Sequence, residues 1–240
     1  RTGQCIEIRY AIASDWSMRV KYGSVTGVEN HNIGVLNDVQ TNYDNEFADE
    51  LSFSIVQQFV VNCSTCDPWS PSTDPETLLI SFKNWGPSGF STTHDLGCLW
   101  TNRDLDGSTI GIAYVGVLCT PLRYHVLQDF SSNAPLLRCM SSHEIGHNFN
   151  ASHDSQGSPT IMAPSVSNTN SWSSASISAI QGEYSTASCL GFCPGSPSAP
   201  VANFTFSVIS NCAPGQVQYT DNSTNAVSRS WSFPGGTPST

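Results

Sequence analysis

Three histidines and a glutamate stand close together in this 240-residue chain: His143, Glu144, His147 and His153. Residues i and i+4 share one face of a helix. A helix through this stretch therefore aims the imidazoles of His143 and His147 at one point. Two neutral imidazoles so placed form a clamp for a divalent ion, and zinc takes nitrogen ligands readily. Glu144 follows the first histidine, where its carboxylate reaches a water activated by the ion without itself being a ligand. His153 lies six residues past His147, and a continuing helix would carry it roughly 240° away. The chain must leave the helix between them. Asn150 stands where a left-handed residue is needed, and after glycine, Asn and Asp tolerate that conformation best. Three histidine ligands leave one coordination position open, which is the catalytic rather than the structural zinc arrangement.

The elements that must position these residues can be read from periodicity. Pro135 opens a helix that carries Leu136, Leu137 and Met140 into the core and delivers His143 and His147 at its far end. Upstream, Cys5 to Ala13 alternates as a strand, with Ile6, Ile8, Tyr10 and Ile12 on one face and Glu7 and Arg9 on the other. From Val28 to Phe47 the apolar spacing becomes three and four, predicting a long amphipathic helix. Leu51, Phe53 and Ile55 resume alternation, and Val60-Val61 close a second strand. Asp74-Pro75-Glu76 is a helix start, followed by Leu78, Phe82 and Trp85 on one face. Asp104-Leu105-Asp106-Gly107 reads as a turn leading to a strand over Thr109–Leu118. A last helix is expected from Ser174 to about Ser185. Strands interleaved with helices make the fold class α/β (α+β).

Composition narrows the function. The formal charge is −10, with 19 acids against 9 bases and no Lys/Arg cluster. That argues against nucleic acid and anionic membrane surfaces as partners. The longest apolar run, Ile110 to Cys119, is too short to span a bilayer. The sequence begins at Arg1, as expected of a mature or trimmed form, and a monomer is expected. Nine cysteines point to an oxidising compartment and a secreted protein. Cys63-Ser64-Thr65-Cys66 has the spacing of half a zinc ribbon, but no second such pair exists, so a disulfide is the reading there. The odd count leaves one thiol free or paired outside this chain. His31, on a helix surface, and His125 are expected to be structural. Asn-x-Ser/Thr patterns occur at Asn62, Asn150, Asn203 and Asn222, and a glycan on Asn150 would crowd the metal.

His143 to His153 resembles the extended zinc motif of the metzincin metallopeptidases, with Asn150 in place of its glycine. Ile161-Met162-Ala163-Pro164 resembles their Met-turn, which sets a methionine, here Met162, under the metal. Asp154 directly after the third histidine resembles the adamalysin (reprolysin, ADAM-like) branch. Pro164 stands where astacin-like and serralysin-like members carry tyrosine. The resemblance implies a metzincin fold: a twisted mixed sheet with the active-site helix in an N-terminal subdomain, then a small C-terminal subdomain. It implies a secreted zinc-dependent endopeptidase with Glu144 as base, acting on a peptide bound as an extended strand along Ile110, Gly111 and Ile112. Ser165 and Val166 would form a wall of the specificity pocket. A Cys119–Cys189 disulfide is implied, with Cys193 as the alternative partner of Cys119. A calcium ion at Glu7 and Asp95 is also implied, though the family's asparagine after the terminal cysteine is not matched at Gly191 and Phe192. The reading from another class is a decayed protease domain serving adhesion; against it, all three ligands and the glutamate are present.

Three segments are expected: a catalytic domain over 1–193, a Pro/Gly/Ser linker over 194–200, and a tail over 201–240. The tail's short strands near Phe204, Tyr219 and Trp231-Ser232-Phe233-Pro234-Gly235-Gly236 resemble the first part of a PKD-like β-sandwich. Without its remaining strands such a sandwich cannot bury both inner faces, so this tail is expected to be poorly packed or docked.

Overall fold

The even-numbered residues of the first strand, Ile6, Ile8, Tyr10 and Ile12, all lie in one core, whereas Ala11 and Ala13 lie in another. This strand is therefore central and covered on both faces. The computed structural model describes residues 5–195, 201–210, 215–226, 228 and 230–233. They form two units, one up to Pro194 and one from Gly195 onward.

In the first unit β1 (Ile6–Ser14) pairs in parallel with β2 (Leu51–Val60) and β3 (Leu96–Thr101), and β3 pairs in parallel with β5 (Tyr124–Gln128). Strand β4 (Gly111–Ala113) runs antiparallel to β5 and forms one edge, giving the order β2-β1-β3-β5-β4. A short β6 (Gly191–Phe192) pairs antiparallel with the start of β1. The other edge, β2, is partly closed by Gln40, whose amide donates to the Leu51 carbonyl and accepts from the Phe53 N–H. Such side-chain caps blunt an exposed strand edge.

One sheet face is covered by α2 (Val25–Phe47) and α4 (Ala134–Asn148), whose Val28, Val39, Tyr43, Phe47, Met140 and Ile145 pack on the even residues of β1. The other is covered by α3 (Pro75–Gly89) through Leu78, Leu79 and Phe82. Helix α1 (Trp16–Tyr22) is capped by Asp15 and α3 by Asp74, which accept from the N–H groups of Met18 and Thr77. These caps answer the orphan donors of a first turn. Helix α5 (Ser174–Thr186) closes the unit, capped by Ser173.

The expected helices and the strands β1 and β2 are present, but β3, β5 and α1 were not anticipated. All residues of β3 and β5 are buried, so neither shows the alternation that reveals a half-exposed strand. The expected strand over Thr109–Leu118 is a correction. Only Gly111–Ala113 is strand, because beyond Ala113 the chain turns to serve the end of α4. Gly116 and Val117 donate to the carbonyls of His147 and Asn148, and the Asn148 amide donates to the Tyr114 carbonyl. These bonds satisfy carbonyls that a helix C-terminus leaves free.

Three disulfides are described: Cys119–Cys189, Cys5–Cys193 and Cys63–Cys66. Cys119 takes Cys189, and Cys193 takes Cys5. Closing a loop with a sequence separation of 70 stabilises by about 4 kcal/mol through the unfolded chain. Two described thiols, Cys98 and Cys139, are free and buried, one more than the odd count alone required. Cys212 lies outside the described residues.

The second unit holds a two-stranded antiparallel hairpin, β7 (Phe204–Ser210) with β8 (Gln216–Asp221). Phe204, Phe206, Val208, Val217 and Tyr219 are all substantially exposed. Trp231 and Phe233 stack against each other, and each approaches Tyr219. Residues 231–233 are not strand, and the Pro234-Gly235-Gly236 part of the motif lies outside the described residues, as does 196–200 of the linker.

Candidate metal centre

Helix α4 is held against the rest of the unit beside its first histidine. Asn42 and Tyr43 of α2 donate to the hydroxyl and carbonyl of Ser142. The helix ends at Asn148, and Asn150 has φ of 69°, the expected left-handed exit. Asn150 and Ala151 donate back to the carbonyls of His147 and Gly146, closing the turn. This turn brings His153 around: its Nε2 is 3.1 Å from Nε2 of His143 and 3.1 Å from Nε2 of His147.

Hydrogen bonding fixes the tautomers. His143 Nδ1 lies 2.7 Å from the Ile161 carbonyl oxygen and His147 Nδ1 2.8 Å from that of Ala151. A carbonyl only accepts, so both Nδ1 atoms carry the proton and each Nε2 presents a bare lone pair. Burial holds His143 at about 4 and lowers His147 from its ordinary value, so both are neutral at pH 7. His153 has at most one proton to share with two inward-facing lone pairs. A cation answers all three at once. Tetrahedral zinc with bonds of about 2.0–2.1 Å would space its nitrogens by about 3.3 Å, close to the separations found. The donor set fits zinc.

Met162 is fully buried and packs against α4. Its sulfur explains a glycine that sequence reasoning passed over. A Cβ on Gly146, in the middle of α4, would stand 2.7 Å from Met162 Sδ and 3.1 Å from the Trp172 ring. Glycine inside a helix costs about 1 kcal/mol relative to alanine; here it lets Met162 pack directly on the helix. Asp154 then ties three segments together. It accepts from the hydroxyls of Thr160 and Ser173, while its N–H donates to the Met162 carbonyl.

Glu144 is 5% exposed, and burial pushes its carboxyl up to about 8. A divalent charge alongside favours the carboxylate and opposes that shift. Its carboxyl end lies against the backbone of Gly111. Ile110, Gly111 and Ile112 are half-buried on the free edge of the sheet, near α4. Ser165 is exposed and accepts from Gln156, while Val166 packs on the main core.

The Glu7–Asp95 pair is not assembled as expected. The β1–β3 register sets Tyr10 opposite Leu96, which puts Arg9 rather than Glu7 beside Asp95. Arg9 Nη2 is 2.7 Å from Asp95 Oδ1 and Nε is 3.0 Å from Oδ2, with the Arg9 N–H donating to Oδ2 as well. Glu7 sits two residues further along, opposite Ser52 and Gly191. The charge a cation would supply to Asp95 is already supplied by a guanidinium. Among the described residues the three histidines form the one cluster of three or more such ligands.

The remaining histidines are structural. Fully buried His125 bridges the Tyr10 hydroxyl and Asn148 Oδ1. His31 is part-buried against Tyr22 and Trp100 rather than on a free helix surface. A hollow of about 440 Å³ near Phe90, His94, Arg123 and Tyr124 contains none of the candidate residues. Both ring nitrogens of His94 are engaged there, by Thr92 and Tyr124.

Comparison with known proteins agrees with this geometry. A zinc metalloproteinase-disintegrin-like protein of Cerberus rynchops is 32% identical over 152 residues, covering 62% of this chain and 24% of that protein. Zinc metalloproteinase barnettlysin-1 of Bothrops barnetti is 40% identical over 101 residues, 39% of this chain and 50% of that protein. The chain thus spans about a quarter of the first relative's length and half of the second's. A solved chain from a structure described as a chaperone-substrate complex shares the fold, with a TM-score of 0.58 at 13% identity over 76% of this chain and 35% of that one. Residues 6–192 match the Reprolysin_5 description of metallo-peptidase family M12, a span that begins with β1, ends with β6 and contains every metal-site residue named above. The chain belongs to metallo-peptidase family M12.

Proposed function

We propose that this protein is a zinc-dependent endopeptidase that cleaves extended peptides. The observation that carries the reading is the convergence of three histidine Nε2 atoms beside a buried glutamate with no hydrogen-bond partner among the described residues. His143, His147 and His153 would hold zinc through Nε2, with the Nδ1–H bonds to Ile161 and Ala151 fixing the first two rings. Zinc so held supplies Lewis acidity, lowering the pKa of a water toward about 7 and polarising a carbonyl. Glu144 takes the proton as the water oxygen attacks the scissile carbonyl carbon. It returns that proton to the departing amine nitrogen as the C–N bond breaks. The β4 edge offers backbone groups to an extended peptide, a mode that reads main chain and leaves specificity to pockets. Ser165 and Val166 are proposed as part of such a pocket.

Three disulfides support an oxidising compartment and hence a secreted enzyme. No helix among the described residues is long and apolar enough to cross a membrane. The exposed aromatic face of the β7–β8 hairpin supports reading the second unit as part of a PKD-like sandwich.

Cleavage of casein or a peptide library, abolished by a chelator and restored by zinc, tests the activity. Glu144→Gln is expected to keep zinc and lower kcat by about 10²–10⁴-fold. Zinc binding without any cleavage by the parent protein, or full activity in Glu144→Gln, would refute the reading.

A further inference from the structure

Among the described residues no side chain or backbone group hydrogen-bonds the Glu144 carboxylate, and the residue is buried. A base so placed has no donor to fix its direction; packing must do it. The surface it packs on is bare backbone. A Cβ built on Gly111 would stand 2.6 Å from Glu144 Oε1 and 2.9 Å from both Cδ and Cγ. Carbon atoms essentially never come that close, so the seat of the carboxylate exists because residue 111 has no side chain.

The strand is not free to give way. Gly111 pairs with Leu127 and Ile112 with Val126, and the Ile110 carbonyl accepts from Gln128. Just beyond, Gly116 and Val117 are bonded to the last carbonyls of α4, the same helix that carries Glu144. The glutamate side chain is the mobile partner, with three rotatable bonds. Gly111 does not have a left-handed φ, so alanine fits its backbone without strain. The N–H and C=O that would pair with a peptide stay intact.

We infer that Gly111 is a positioning residue for Glu144: by lacking a side chain it seats the carboxylate against the edge strand, in the orientation the proton transfer needs. This rests on the zinc-peptidase reading for its catalytic consequence, while the contact stands on geometry alone. It is distinct from any pairing of Gly111 with substrate, which would act on binding rather than on turnover.

The test is Gly111→Ala in the zinc-loaded chain. The expected result is a kcat lowered about 10–100-fold, as a displacement near 1 Å can bring, with KM within about twofold. Zinc affinity, read by competition with a chromophoric chelator, should be unchanged. In a Glu144→Ala background the same substitution should cause no further loss, since effects through one group are not additive. Crystal structures of parent and Gly111→Ala protein should show the carboxylate rotated out of its seat. An unmoved carboxylate, a rise in KM with kcat unchanged, or equal losses in both backgrounds would overturn the inference. If the parent cleaves no peptide, the peptidase reading fails by itself, and the position of the carboxylate in the two structures still decides this one.

Discussion

The histidine cluster at the end of α4 and the Asp95 carboxylate at the start of β3 both call for positive charge, and the fold answers them differently. At Asp95 the guanidinium of Arg9 occupies both carboxylate oxygens from the neighbouring strand. At the histidines no side chain does so: three Nε2 atoms face one another, and the first two rings have their Nδ1 protons committed to backbone carbonyls. Ligand-type residues in a sequence therefore do not by themselves define an ion site. What defines one is a set of donors whose charge or lone pairs remain uncompensated after folding.

Removing one imidazole should have the largest effect on this contrast. His147→Ala is expected to weaken zinc binding by more than about 100-fold and abolish peptide cleavage, measured by chelator competition and a fluorogenic peptide. Asp95→Asn should leave both within about twofold; an equal loss there would break the comparison.

Stripping the metal comes next. A ligand present at about 1,000 times its Kd stabilises by about 4 kcal/mol, so chelation should lower the melting temperature by about 10 °C. Zinc is expected to restore it, and calcium is not. A calcium-dependent recovery would show that Asp95 still takes an ion despite Arg9.

Acid separates the sites in another way. His125 and His143 are held by burial at about 4 against an ordinary 6.5. Between those values the unfolded chain takes up protons that the folded one refuses. Stability of the metal-free protein should therefore fall as pH drops from 6.5 toward 4, with fully buried His125 contributing about 3 kcal/mol. Denaturant midpoints across this window, compared with His125→Gln, check the sign; a flat profile would contradict it.

Two smaller changes sharpen the contrast. Arg9→Met leaves Asp95 buried without its partner, at a cost of about 2 kcal/mol once the partial exposure of Arg9 is allowed for. Most of that should return in Arg9→Met/Asp95→Asn. Asn150→Ala should cost about 1 kcal/mol through its left-handed φ and weaken zinc by displacing His153, whereas Asn150→Gly should be close to neutral. Urea midpoints give both.

Much of the metal centre was legible because it is local. His143, His147, Asn150 and His153 lie within eleven residues, so helix period and one left-handed turn suffice to predict their convergence. The long helices were legible for the same reason. Strands β3 and β5 were not, since strands buried on both faces lose the alternation that marks them. The packing of Met162 and Trp172 on Gly146 gave no sequence signal beyond a glycine inside a helix. The tail reads as alternating apolar residues, yet Phe204, Phe206, Val217 and Tyr219 are substantially exposed, because alternation states which side wants burial and not how far it is covered.

By itself the sequence determined the three-imidazole cluster, the glutamate beside it, the alternating strand that became β1, and a cysteine content that favours disulfides. Each of these depends on residues near one another along the chain or on composition. Only the tertiary structure decided that Arg9 rather than Glu7 meets Asp95, that Cys5 takes Cys193, and that Gly111 lies against Glu144. Those outcomes depend on strand register and on the approach of distant segments. A shift of one residue would change every such pairing while leaving local propensities untouched.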